Sequence, residues 1–216
     1  MNGASARLTL LTPHGLTMDG ADAVVGALAK ACAGGGGVAA VLLRLPLADE
    51  RPLIDLVKQA APVVQDHGAA LVVACAGFKG DLGRVAVRGG ADGVHLDRAP
   101  ASALTEARAA LKDGRILGVG GIETRDAAMT AGEAGVDYVM FGGLYADGAA
   151  PDPETVAERA AWWAEIFETP CIAVATREED IAALGATGAE FVGLESGLWL
   201  DDPEAVLRAG KGLGRP

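Results

Sequence analysis

The sequence predicts a single (β/α)8 barrel spanning residues 1–216, and three observations carry that expectation. Short apolar runs rich in β-branched residues alternate with amphipathic, Ala-rich segments along the whole chain. Continuously apolar strands of this kind belong to a parallel sheet covered by helices. Eight such βα units in 216 residues match the size of a compact closed barrel. The junctions Gly90-Ala91-Asp92-Gly93, Gly135-Val136-Asp137-Tyr138 and Gly188-Ala189-Glu190-Phe191 repeat one device. In each, a glycine able to adopt the left-handed region ends a helix and turns the chain into the next strand. An open doubly wound sheet is the alternative, but no GxGxxG follows the first strand.

The elements follow in order. Strands are expected at 7–12, 38–43, 70–75, 93–96, 116–119, 138–141, 171–174 and 191–194. Helices are expected at 21–33, 50–67, 82–88, 101–112, 124–133, 153–167, 177–184 and 203–208. Asp152-Pro153 and Asp202-Pro203 each offer an N-cap followed by proline at the first helical position. The four glycines at 34–37 precede a strand instead of opening a helix, so they read as a flexible turn and not a phosphate cradle. Trp162 and Trp163 lie about 100° apart around one helix. One is expected against the sheet and one at a rim; a homo-oligomer formed through exposed helix faces stays open.

Composition narrows the function. A hydrophobic content of 50% suffices for one substantial core. No apolar run reaches the roughly 18 residues of a membrane span, and the N-terminus lacks the pattern of a secretory signal. The net charge of −11, with scattered Lys and Arg, argues against a nucleic-acid partner. Cys32, Cys75 and Cys171 are odd in number and form no CxxC pair, which suits a reducing, cytoplasmic setting.

In such a barrel the chemistry sits at the C-terminal ends of the strands. Arg44 ends an otherwise apolar strand and is the candidate catalytic residue, clamping a phosphate or diphosphate, or else pairing with Asp97 or another mouth acid. Asp81 and Asp97 are candidate Mg2+ ligands, because hard cations prefer carboxylate oxygens. Glu195 is a third acid, and a carboxylate beside a phosphate site repels the ligand unless it is protonated, paired or turned away. Gly142 and Gly143 offer open backbone amides. Ala175, Thr176, Ser196 and Gly197 lie where barrels often bind phosphate. All six are candidate phosphate-binding residues; the glycines serve equally as tight turns. His95 reads as a structural histidine, His14 as a rim residue, and His67 as a helix-end cation without chemistry.

Three stretches together resemble the thiamine phosphate synthase/TenI family. They are Gly90-Ala91-Asp92-Gly93-Val94-His95-Leu96; Gly118-Val119 followed by Ala127 through Tyr138-Val139-Met140-Phe141-Gly142; and Pro170-Cys171-Ile172-Ala173-Val174 with Gly188-Ala189 and Ser196. The resemblance implies a barrel of thiamine biosynthesis that joins a pyrimidine diphosphate to a thiazole phosphate, with Mg2+ and loss of pyrophosphate. Arg44 matches the arginine of the family's strand-two motif, but Leu42 and Pro46 replace its glutamine and lysine. Ala74-Cys75 (or Gly80-Asp81, if the loop is realigned) stands for an Asn-Asp pair, and Pro100 for the second metal aspartate. Gly120 replaces a serine, Ala150 a lysine, and Ala175-Thr176 a Gly-Gly; Ile122 holds the position of the histidine of TenI-type tautomerases. Taking a diphosphate out of water needs cations in return, and these replacements remove them. Three expectations follow: a synthase with an altered site; a non-catalytic phosphate- or thiazole-binding barrel with a regulatory or scaffold role; or another reaction on a phosphorylated small molecule.

Overall fold

A computed structural model of the chain describes residues 5–111, 114–145 and 147–214. Its elements run β1 (Arg7–Leu11), α1 (Ala21–Ala33), β2 (Val38–Arg44), α2 (Glu50–Gln65), β3 (Ala70–Ala74), α3 (Leu82–Gly89), β4 (Gly93–Asp97) and α4 (Ala101–Ala110). They continue β5 (Ile116–Gly120), α5 (Arg125–Glu133), β6 (Tyr138–Gly142), α6 (Pro153–Ile166), β7 (Cys171–Ala175), α7 (Ile181–Gly185), β8 (Phe191–Leu194) and α8 (Ala205–Gly212). The eight strands pair in parallel and in chain order, and β8 returns to β1 with Arg7 opposite Phe191, closing the expected (β/α)8 barrel.

The pleat divides the strand residues between two cores. One lies between sheet and helices and buries Leu8, Leu10, Leu43, Leu53, Phe141, Trp163 and Trp199. The other fills the barrel axis with Leu11, Leu42, Val72, Ala74, Tyr138, Met140, Ile172 and Val174. Five strands extend one residue past their expected C-terminal ends, to Arg44, Asp97, Gly120, Gly142 and Ala175. The extension matters because the pleat then fixes which way each side chain points. Arg44 and Asp97 follow the inward parity of Leu42 and His95, whereas Ala175 packs outward with Ala173 beneath the helices.

The junction glycines adopt the left-handed region as expected, with φ of 87° at Gly90, 79° at Gly135 and 90° at Gly188. The acid that follows each has a partner of its own. Asp92 accepts from Leu71 N at 2.7 Å, Asp137 from Leu117 N at 2.7 Å, and Glu190 from Cys171 N at 2.9 Å. Each carboxylate thus satisfies a backbone N–H near the start of the preceding strand.

Three local expectations change. Asp152 caps α6 by accepting from Thr155 N; the Asp202 carboxylate is held first by Arg208 Nη2 at 2.6 Å, with the Glu204 and Ala205 backbone N–H groups as weaker partners, and the helix starts at Ala205. The helix expected at 177–184 opens as a 3₁₀ turn, Glu178–Asp180, because Arg177 ties back to Asp180 with two hydrogen bonds. The glycines at 34–37 make a close approach as well as a turn. A Cβ on Gly36 would lie 2.6 Å from Val206 O, and one on Gly210 would lie 2.3 Å from Gly36 O. Lys112, the expected end of the fourth helix, lies outside the described residues. Trp163 is fully buried, while Trp162 is half-buried with the Arg125 guanidinium 4.8 Å from its ring centroid. Among the described residues, no helix is long and apolar enough to cross a membrane.

Candidate active site

A cavity of about 730 Å3 opens at the C-terminal end of the barrel. Its wall includes His14, Arg44, Ala74, Cys75, Leu82, His95, Asp97, Arg98, Met140, Gly142, Leu144, Tyr145 and Asp147. Arg44 and Asp97, at the ends of β2 and β4, reach it together.

Arg44 is only 6% exposed, and its charge is answered within the barrel. Its Nη1 and Nη2 donate to Glu195 Oε2 and Oε1 at 2.8 and 2.9 Å. Nη1 also donates to Thr12 O at 2.8 Å, and the backbone N of Arg44 donates to Thr12 Oγ1 at 2.8 Å. Of the two partners expected for Arg44, the geometry supplies the mouth acid, and that acid is Glu195 and not Asp97. Glu195 is 2% exposed and also accepts from Leu144 N at 2.8 Å. Such a pair survives burial because bidentate geometry and further donors offset the loss of water.

A second polar column occupies the axis two strands further round, between β4 and β6. His95 Nδ1 meets Tyr138 Oη at 2.8 Å, and Nε2 meets Asp97 Oδ1 at 3.1 Å. Burial, and then the Asp97 charge, push the Tyr138 phenol far above its ordinary range, so it stays a neutral donor. The order is satisfied when Tyr138 donates to Nδ1 and the Nε2 proton goes to Asp97. Burial alone would raise the Asp97 carboxyl, but the His95 hydrogen bond, and then the charges of His95, Arg44 and His14, outweigh it and hold the group below its ordinary value. Asp97 is therefore an anion at neutral pH. His14 is held below its ordinary value, by desolvation first and by Arg44 second.

Strand β5 makes room for this column. A Cβ on Gly118 would lie 2.0 Å from the Tyr138 ring; one on Gly120 would lie 2.6 Å from both Asp97 Oδ1 and His95 Nε2. Gly120 is thus the only residue size that the packed His95–Asp97 pair admits without displacement.

The remaining expected site residues spread apart. Asp81 caps α3, accepting from Arg84 N at 2.8 Å, and does not line the cavity. Among the described residues, no three His, Cys, Asp or Glu side chains converge as metal ligands. With Asp81 a helix cap and one Asp97 oxygen on His95, these donors do not fit a Mg2+ held by the chain. Gly142 lines the cavity; Gly143, Ala175, Thr176, Ser196 and Gly197 do not. Gly142 and Gly143 adopt φ of 87° and 89° and carry the chain to Leu144, whose N–H goes to Glu195. Ala175 O accepts from Glu195 N at 3.2 Å. Ser196 and Gly197 lie in a 3₁₀ turn, Ser196–Leu198.

Sequence reasoning assigned no role to Tyr138, Thr12 or Leu144, and named Glu195 only as a further acid. Tyr138 was legible from its parity with Met140 and from the inward glycines of the neighbouring strand. Glu195 was legible as a lone charge directly after an apolar strand, the mirror of Arg44.

Comparison with known proteins agrees with this architecture. The family model described as thiamine monophosphate synthase (TMP-TENI) matches residues 8–198. The chain is 35% identical to a thiamine-phosphate synthase of Rhodospirillum centenum over 167 residues, covering 76% of this chain and 77% of that one. It is 33% identical to a thiamine-phosphate synthase of Erythrobacter litoralis over 182 residues, covering 82% of each. The solved thiamine phosphate pyrophosphorylase from Pyrococcus furiosus superposes with a TM-score of 0.75 at 19% identity, covering 97% of this chain and 96% of that one, which supports the fold. Sequence and architecture together place this chain in the thiamine monophosphate synthase family.

Proposed function

We propose that the protein serves thiamine biosynthesis as a synthase-type barrel, taking a phosphorylated small molecule into the cavity at its C-terminal mouth. The observation that carries this is the family match over residues 8–198 on a barrel whose strand ends line one open cavity containing Arg44. Arg44 is the proposed anchor of the ligand's phosphate, with the backbone around Gly142 and Gly143 beside it. Thr176, Ser196 and Gly197, with the backbone of Ala175, are secondary candidates, reached only if the ligand extends beyond the cavity wall at the ends of β7 and β8. The apolar side of the wall, including Ala74, Leu82 and Met140, suits a heterocycle. Cys32, Cys75 and Cys171 are all free thiols, which fits a reducing, cytoplasmic setting.

A second reading, a non-catalytic barrel that binds a phosphate- or thiazole-type ligand, is favoured by one observation. Two charged groups of the mouth are committed within the chain, Arg44 to Glu195 and Asp97 to His95. Purified protein mixed with the pyrimidine diphosphate and thiazole phosphate, with and without Mg2+, separates the two. Thiamine phosphate formation that is lost in Arg44→Ala supports the synthase reading. Binding of thiazole phosphate without turnover supports the second, and neither binding nor turnover removes both.

A further inference from the structure

The best-equipped anion site in this chain is filled by the chain itself. The Glu195 carboxylate receives three N–H donors: Arg44 Nη1 at 2.8 Å, Arg44 Nη2 at 2.9 Å and Leu144 N at 2.8 Å. Two separate elements supply them, the last residue of β2 and the loop after β6. A paired guanidinium plus a backbone amide is also what a phosphate or a carboxylate ligand requires. The loop is shaped for this carboxylate. Gly142 and Gly143 hold φ near +90°, and a Cβ on Gly143 would lie 3.2 Å from Glu195 Oε1. The cavity borders the donors, since Arg44, Gly142 and Leu144 all line it. Arg44 Nε keeps a buried N–H without a partner among the described residues.

We infer that Glu195 is a specificity-determining residue: its carboxylate stands in the anion site formed by Arg44 and Leu144 N–H, and an entering phosphate must displace it. This rests on the reading that a phosphorylated small molecule enters this mouth. A phosphate brought within about 4 Å of a fixed carboxylate is repelled, the more so where water is excluded. Apparent affinity falls by the fraction of time that the site stands open. Small free anions such as phosphate and pyrophosphate are therefore rejected. A phosphate carried on a larger body is accepted, because contacts elsewhere in the cavity offset the displacement.

The test compares wild type, Glu195→Ala, Glu195→Gln and the double variant Arg44→Met/Glu195→Leu. Thermal unfolding is followed in chloride, acetate and phosphate of matched ionic strength, and phosphate binding is measured by calorimetry. Glu195→Ala leaves Arg44 buried and unpaired and so melts early. Acetate or phosphate is expected to raise its midpoint by roughly 3 °C or more over chloride. Its phosphate affinity is expected to exceed that of wild type by at least about tenfold. Wild type and the double variant are expected to show only the general stabilisation that phosphate gives any folded protein, so the rise is read as the excess over theirs, and neither gains phosphate affinity. If Glu195→Ala does not fold, Glu195→Gln keeps the volume and removes only the charge, and its expected result is a phosphate affinity above that of wild type without anion rescue of stability. An equal response in wild type, or one that persists in the double variant, overturns the proposal. Anion rescue of Glu195→Ala alongside failure of wild type to bind thiazole phosphate keeps this proposal and removes the functional reading; binding of thiazole phosphate by wild type without rescue does the reverse.

Discussion

Gly120 stands where the resemblance to the family implies a serine, and the structure leaves no room for a side chain there. Its inward face is taken by Asp97 Oδ1 and His95 Nε2, each 2.6 Å from where a Cβ would sit. Gly120→Ser is therefore expected to destabilise by about 1–3 kcal/mol, as overpacking does, and not to restore a family-like site. Urea unfolding checks it, and a variant as stable as wild type would mean that the His95–Asp97 pair moves aside freely. Asp97 itself makes a claim about pH. Its carboxyl is held below the ordinary value in the folded chain, so its contribution is complete above the ordinary carboxylate range and is lost as the pH falls below it. The stability deficit of Asp97→Asn is accordingly expected to be largest near pH 7 and to shrink toward pH 3. A deficit constant across that range would contradict the assignment. Arg44 was visible in the sequence as a charge ending an apolar strand, but its partner was not, since Glu195 lies 151 positions further on. Only closure of the barrel brings β8 near β2.

At the level of elements, period and punctuation in the sequence were enough to locate all eight strands to within a residue or so. Apolar runs need burial on both faces, and the glycines that reverse the chain are fixed by their backbone conformation. The acids after those glycines carried a signal of another kind. Asp92, Asp137 and Glu190 look like solvated charge in sequence, yet each accepts a backbone N–H from the strand before it, about 20 residues earlier. Nothing local encodes that partner; it exists because successive parallel strands start at the same end of the barrel. Asp137→Ala would strip the acceptor from Leu117 N and release Arg108, which sits 3.0 Å from the same oxygen. A loss of about 1–3 kcal/mol is expected in chemical denaturation, the cost of an unsatisfied buried donor. Wild-type stability would show that water replaces the carboxylate. Helix starts were harder to place than strands, because side chains choose among competing partners. Asp152 caps its helix through a backbone N–H, whereas Asp202, in the same Asp-Pro context, is held first by Arg208 and only secondarily by backbone N–H groups.

For the whole molecule, the barrel and its family were legible from pattern, but the balance of charge at the mouth was not. The resemblance implied which lysines and acids are replaced. It did not show that the remaining arginine is met by Glu195, or that Asp81 serves a helix and not the cavity. What emerges is a barrel with an open space of about 730 Å3 at its strand ends and a polar floor of internal pairs. Both functional readings require that a phosphorylated ligand enters there and meets Arg44. The most direct measurement is calorimetric titration of the purified protein with thiazole phosphate, beside Arg44→Ala. Saturable one-to-one binding that weakens at least about tenfold in the variant is the expected result, the loss of one charge-assisted contact. No binding by wild type, or equal binding by Arg44→Ala, would contradict the account.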